Sequence, residues 1–579
     1  VNPFLALFNT ARRRPLRVYH DEAYRLPISG AEAGPYALET RRSDDAVHYL
    51  LSVRAIARVD VINPETVSYE DLARVHSPEY LESLHQPETL AQIFAVDPSD
   101  VFVDEVLRTL RLGVGGTVEA ARYAVRHGRA AINSFGGFHH AAPARGAGFC
   151  ALNDVTVAIA VLRHDGFAGK IGVLDLDFHP PDGTAECLGK DASVWLGSIS
   201  GADWGVLPGV DEQILPTGTG DREYLEAVQR LLGRMPEVEL VFVLAGADVL
   251  AGDRLGTFAL SLSGTRSREL KVSRRLGALP QVWLPAGGYS SHAWKVLAGV
   301  GLTLAFDTDQ PIPTDADPLA SRFTRISRSL PSESLGEEPL LDARDLDELL
   351  GGTARRPTKL LDFYTAEGLE FALERYRLLP MLRRLGFHQL HVQITRLFPW
   401  DRAVLHGIDA TTGQPVKLIE LEVGKSKLGE RQFLFVNWLS LRNPRATFSH
   451  IRPQLPGQEV PGLGLAREMT QLLGLMAVRL KLDGVAFRPS WFHMAWAARH
   501  DARFVDPKRQ GRFLAVCRDL ARLPLLEATR AVAEGRVKLN GQHYAWEADE
   551  MATFRVEVAP KDDADEIAAE RDRCHFTVG

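Results

Sequence analysis

Cysteine is scarce in this chain: four in 579 residues, at Cys150, Cys187, Cys517 and Cys574. They lie far apart and form no CxxC pair, which excludes a disulfide framework and a thiolate zinc knuckle and fits a reducing compartment. A basic excess is also missing, since 67 Lys and Arg stand against 74 Asp and Glu, for a formal net charge of -7. A general nucleic-acid or anionic-membrane binder carries the opposite balance, so neither partner is expected. No apolar run reaches the ~20 residues that span a bilayer. The opening VNPFLALFNTARRRPLRVYH places its basic residues after a short apolar run, the reverse of a secretory signal. A cytoplasmic protein of bacterial type is the expectation. Neither an internal repeat nor a low-complexity block shows beyond one linker.

A chain of 579 residues is too long for one core, because single cores rarely grow past roughly 250–300 residues. Two large domains are predicted. In the first, residues 1–306, short apolar runs alternate with helical stretches such as Val114–Val125 and Asp221–Leu232. The runs Ala130–Asn133, Ile171–Leu174, Leu240–Leu244 and Gln281–Leu284 have the continuous apolar character of parallel strands covered on both faces. This βα alternation predicts an α/β fold with a doubly wound parallel sheet. Residues 307–356, rich in Pro, Ser and Asp, are read as a linker, with a short helix over Leu341–Leu350 stopped by Gly351-Gly352. Residues 357–579 are predicted to form an α+β domain. Its strands are Gln389–Thr395, Gln432–Leu439 and a hairpin of Ala403–Asp409 with Val416–Val423; its helices are Leu465–Leu480 and Arg512–Leu523.

Four segments of the first domain carry chemistry: Phe138-His139-His140, Asp175-Leu176-Asp177-Phe178-His179, Ala245-Gly246-Ala247-Asp248 and Gly287-Gly288-Tyr289. All follow the carboxyl ends of predicted strands, where open α/β sheets bind ligands. Asp177 and His179 are two apart, so in extended backbone both point to one side and can meet one ion. Asp248 completes an Asp-His-Asp set, and three protein ligands with an open position is what a catalytic zinc requires. Taken alone, the DxDxH string is equally a solvated acidic loop or a magnesium site, the two histidines a structural pair, and Tyr289 a core tyrosine on a turn. Together they offer ligands, a base in His139 or His140, carboxylates in Asp175 and Asp182 to orient the imidazoles, and a phenol for an oxyanion.

The strings RVYHD (17–21), HSPEYL (76–81), GVGGTVEAA (113–121), GGFHHA (136–141), GFCALND (148–154), LDLDFH (174–179), DGT (182–184), LAGAD (244–248) and AGGY (286–289) run in order through the first domain. On them it resembles the zinc-dependent histone deacetylase family, which includes acetylpolyamine amidohydrolases and acetoin-utilisation proteins on the arginase–deacetylase fold. The resemblance implies zinc on Asp177, His179 and Asp248, with His139 and His140 as the paired histidines backed by Asp175 and Asp182. Tyr289 would polarise the carbonyl. It further implies potassium near Asp175, Asp177, His179, Ser198 and Ile199, and an acyl channel past Gly148 and Phe149 with Leu207 opposite and Leu255 nearby. The reaction implied is zinc-dependent hydrolysis of a non-peptide C–N bond, releasing acetate or another acyl group from acyl-lysine in a protein or from a small acetylated amine. Two departures stand out. Pro180-Pro181 replaces the family's His-Gly, and Leu207 replaces a channel aromatic.

The second domain carries weaker signals. The loop QEVPGLG (458–464) before a helix resembles the coenzyme A loop of GNAT acetyltransferases, because backbone amides at a helix start can hold a phosphate. The aromatics of PSWFHMAW (489–496) are either a pocket or core, and KDDADEIAAERDR (561–573) is read as a solvated helix or tail. Beside the deacylase stand two alternatives: a bifunctional enzyme with a coenzyme A-dependent acyltransferase half, and a non-catalytic protein that binds acylated ligands.

Overall fold

The computed structural model describes residues 13–28, 38–189, 191–336, 358–449, 452–554 and 563–579. It divides into two compact units, Val1–Arg322 and Phe323–Gly579. Among the described residues no helix is long and apolar enough to cross a membrane.

The first unit is built on eight strands: β1 (Arg17–Tyr19), β2 (Val61–Ile62), β3 (Ala130–Asn133), β4 (Ile171–Asp175), β5 (Val194–Ser200), β6 (Val210–Ile214), β7 (Leu240–Leu244) and β8 (Gln281–Leu284). They pair in parallel in the order β2-β1-β3-β8-β7-β4-β5-β6. This is the doubly wound sheet that the alternation predicts. Successive residues of a strand point to opposite faces. Val173, Phe242 and Val282 accordingly enter one apolar cluster, and Leu174, Val243 and Trp283 the other. Both faces are covered by helices, which is why β4, β7 and β8 read as unbroken apolar runs.

One covering helix, Val103–His127, is amphipathic over 25 residues and ends on Gly128 in the left-handed region. Its Gly115 and Gly116 admit neighbours that no side chain would tolerate. A Cβ at Gly115 would lie 1.9 Å from the carbonyl oxygen of Glu65, and one at Gly116 would lie 2.2 Å from the Tyr24 hydroxyl. The GVGG string is therefore a packing device, clearing room beside β3.

The second unit contains β9 (Phe387–Leu397), β10 (Trp400–Asp409), β11 (Pro415–Leu428), β12 (Arg431–Leu441), β13 (Gly484–Phe487), β14 (Arg503–Phe504), β15 (Val537–Leu539), β16 (Gln542–His543), β17 (Met551–Phe554) and β18 (Phe576–Val578). A seven-stranded sheet runs β14-β17-β13-β12-β11-β10-β9, and a small one β16-β15-β18. Strands β9 to β12 form an antiparallel meander. The predicted hairpin is its middle pair, turned by Asp409, whose carboxylate accepts the N–H groups of Thr411 and Thr412. Helix Ala466–Arg479 then carries the chain across to β13, parallel to β12.

Several expectations are adjusted. Within the segment read as a linker, Pro318–Ser329 is helical, with Leu319 and Phe323 buried. Asp317 caps it by accepting the N–H of Ala320, and Pro318 stands at its start. The predicted Leu341–Leu350 helix and Gly351-Gly352 lie outside the described residues. The helix expected at Arg512–Leu523 is Pro507–Asp519 and starts five residues earlier, because Asp506 caps it by accepting the N–H groups of Lys508 and Arg509. Of the charged run at 561–573, residues Ala564–Arg573 form a helix that is not merely solvated. Glu570 is buried and accepts from Arg512 at 2.7 Å. The aromatic segment at 489–496 is largely core, with Phe492 packed against Phe513 and Trp546.

Candidate active site

The loops that carry the four sequence segments leave β3, β8, β7 and β4, which are consecutive neighbours in the sheet. Adjacent strand ends thus deliver all four to one place. Asp177, His179 and Asp248 offer ligand atoms that all lie within 4.8 Å of one another. His179 Nδ1 is 3.2 Å from Asp177 Oδ1 and 3.1 Å from Asp248 Oδ2. Backbone amides hold the carboxylates in place. Phe178 N–H donates to Asp248 Oδ1 at 3.0 Å, His179 N–H to Asp177 Oδ1 at 3.0 Å, and Gly287 N–H to Asp177 Oδ2 at 2.6 Å.

Both carboxylates are fully buried. Burial and the neighbouring Asp177 carboxylate push the Asp248 carboxyl up to about 7. Two buried acids with one imidazole form a donor set short of positive charge, and a divalent cation fits it. Gly287 lets the backbone pass this close: a Cβ there would lie 2.6 Å from an oxygen of each carboxylate.

The two adjacent histidines are held differently. His139 Nδ1 donates to Asp175 Oδ2 at 2.9 Å, and its Nε2 is 3.7 Å from Asp177 Oδ1. Burial disfavours its charged form, but Asp175 and Asp177 outweigh that and hold it up at about 9. His140 Nδ1 donates to Asp182 Oδ1 at 2.6 Å. Burial and the neighbouring His139 push it down to about 4 despite Asp182. The rings lie 4.1 Å apart, so one charged and one neutral imidazole is the arrangement that mutual repulsion favours.

Asp182 opens the helix Asp182–Leu188, and Ala185 N–H donates to Pro181 O. The two prolines that depart from the family string therefore start the helix that presents Asp182 to His140. The loop that supplies the histidines is itself anchored. Asp154, fully buried, accepts the N–H groups of Gly137 and Phe138 and the Thr117 hydroxyl.

Tyr289 faces Phe149 across 5.5 Å. Burial and the Asp177 and Asp248 carboxylates raise its phenol well above the usual tyrosine range, so it stays a hydrogen-bond donor at neutral pH. A cavity of about 90 Å³ runs beside Tyr289, Phe149, Gly148, His139 and His140. Gly148 is required there, since a Cβ would lie 2.3 Å from the His140 ring. Phe149 adopts φ +64° and is held by hydrogen bonds from Phe149 N to Ile93 O and from Cys150 N to Ala147 O.

Leu207 and Leu255 are not among the walls of this cavity. Leu207 packs against the core instead. The aromatic of that loop which meets the site is Trp204, half-exposed, with its ring 5.5 Å from His140 and 6.3 Å from His179. The resemblance implies Leu207 as the channel wall; in this loop it is the Trp204 ring that lies beside the site histidines. Ser198 pairs with Asp175 across β5 and β4, and its buried hydroxyl has no hydrogen-bond partner. Arg42 was not foreseen either. Its partly buried guanidinium donates to the carbonyls of Gly287 and Ala286. In the second unit the loop QEVPGLG does lead into helix Ala466–Arg479. The first turn of that helix already carries the buried Glu468 carboxylate, a poor companion for a phosphate.

Residues 36–300 match the family model described as the histone deacetylase domain. Histone deacetylase 2 of Arabidopsis thaliana is 33% identical over 299 residues, covering 48% of this chain and 76% of that protein. An uncharacterized protein of Picosynechococcus is 34% identical over 265 residues, 42% of this chain and 83% of its own length. Histone deacetylase 8 of Xenopus tropicalis is 27% identical over 300 residues, covering 46% and 79%. With a parallel sheet that brings Asp177, His179 and Asp248 to one point beside the paired histidines, the chain belongs to the histone deacetylase family.

Proposed function

We propose that the first unit is a zinc-dependent deacylase that removes acetyl, or a related acyl group, from an acylated amine such as acyl-lysine. The observation that carries this reading is the convergence of the Asp177, His179 and Asp248 ligand atoms beside His139 and His140. Asp177, His179 and Asp248 would hold the zinc. A zinc ion so held lowers the pKa of a bound water toward ~7 and polarises a carbonyl.

The chain's own residues supply the rest. The Tyr289 phenol donates to the carbonyl oxygen as negative charge develops on it. The uncharged imidazole takes the proton of the attacking water, and a charged one returns a proton to the leaving amine. Asp175 and Asp182 keep both rings in the tautomer that presents Nε2 to the reaction. Phe149 and Trp204 offer aromatic surface to the methylene chain of the substrate. A monovalent cation beside Asp175 and Ser198 is part of the proposal, supported by the unpartnered Ser198 hydroxyl. The test is a panel of acetylated peptides and acetylated polyamines, assayed with the full chain before chelation, after chelation and after zinc is restored. Turnover that tracks zinc supports the proposal; turnover indifferent to chelation contradicts it.

A further inference from the structure

We infer that Asp253 and Arg254 are positioning residues that clamp the backbone of Tyr289 from both sides and so fix its phenol in the site. The inference rests on the reading of Tyr289 as the carbonyl-polarising hydroxyl. Tyr289 follows Gly287 and Gly288, the latter at φ +138°, a backbone stretch with more conformational freedom than any other dipeptide would give it. A phenol at the end of such a stretch is useful only if the backbone beneath it is ordered before substrate arrives.

The structure supplies that order from adjacent positions of one loop. Tyr289 N–H donates to Asp253 Oδ2 at 2.8 Å, and Arg254 Nη1 donates to the Tyr289 carbonyl at 2.6 Å. Both peptide groups flanking the Tyr289 Cα are thereby held. The Asp253 carboxylate is buried, and its other oxygen accepts the N–H groups of Leu255 at 3.0 Å and Gly256 at 3.3 Å. The loop cannot drift, because Gly256 presses on the backbone of Asp248: a Cβ there would lie 1.8 Å from the Asp248 carbonyl oxygen. Arg254 lies 3.7 Å from Glu39, which steadies a side chain that is otherwise partly exposed. The same short loop therefore runs from a candidate metal ligand to the peptide groups of the tyrosine, and it couples their positions.

The experiment uses the zinc-loaded full chain and an acetyl-lysine peptide, with kcat, KM, zinc content and melting temperature measured for each variant. Arg254→Ala, at a partly exposed position, is expected to lower kcat roughly tenfold or more while KM and zinc content hold, because small misplacements of a reacting group carry penalties of this order. Arg254→Lys is expected to recover part of the loss. Asp253→Ala is expected to act in the same direction with some loss of stability. In a Tyr289→Phe background, Arg254→Ala is expected to have no further effect on kcat, since the clamp acts through the hydroxyl that is gone. Wild-type kcat in both single variants would overturn the inference. So would an equal loss from Arg254→Ala with and without the hydroxyl. Wild-type turnover in Tyr289→Phe alone would instead remove the role of Tyr289 itself, and the clamp with it.

Discussion

Asp182 accepts a hydrogen bond from His140 Nδ1 at 2.6 Å, from the first turn of a helix begun by Pro180 and Pro181. The His140 ring lies 4.1 Å from that of His139 and 5.7 Å from that of His179. An imidazole held through one nitrogen has a defined tautomer at the other. Replacing Asp182 with Asn removes the charge but not the shape. Asp182→Asn is therefore expected to lower kcat about tenfold to hundredfold, with zinc content unchanged. Steady-state kinetics with metal analysis of the same sample checks this, and an unchanged kcat would speak against Asp182 as the orienting group.

A second prediction concerns acid. His76 is buried: its Nε2 accepts the Asn153 N–H at 3.0 Å, and its Nδ1 donates to Ala142 O at 3.0 Å. Burial disfavours the charged ring and lowers its pKa from 6.5 to about 4, although the Ala142 carbonyl favours the charged form. The folded state therefore binds this proton less readily than the unfolded chain. The contribution is complete above pH 6.5 and disappears as pH falls from there through about 4. It is on the order of 3 kcal/mol. Denaturant titrations of the wild type between pH 7.5 and 4 should show this loss, and His76→Gln, which cannot titrate, should show a shallower decline. An identical pH profile in the two proteins would contradict the assignment.

Trp204 yields a third. Its ring stands over His140 and His179 at the rim of the site. Aromatic contact of this kind is worth about 1 kcal/mol, so Trp204→Ala should raise KM for an acyl-lysine peptide about fivefold and change kcat less. Leu207→Ala should leave KM unchanged, since Leu207 packs on the core. The opposite pattern would restore Leu207 as the channel wall.

The strands that carry the site were legible because they are buried on both faces, which leaves unbroken apolar runs such as Leu240–Leu244. Strands β1 and β2, of three and two residues, are too short to show a period. Strand β5 is fully buried over its last five residues, yet Gly197, Ser198 and Ser200 hide its apolar character. In the linker segment, composition outweighed the local start signal Asp317-Pro318, and a helix was missed. Asp177, His179 and Asp248 could be placed together because each sits two to four residues after a strand end. Arg42, Asp253, Arg254 and Trp204 could not, because each reaches the site by a tertiary path that spacing along the chain does not encode.

The most direct test is metal analysis coupled to turnover. The full chain, stripped by a chelator and reloaded, is predicted to bind about one zinc and to recover deacetylation in proportion. Asp248→Asn and Asp177→Asn are predicted to lose both together. Full deacetylation by metal-free protein, or by either variant without bound zinc, would contradict the account.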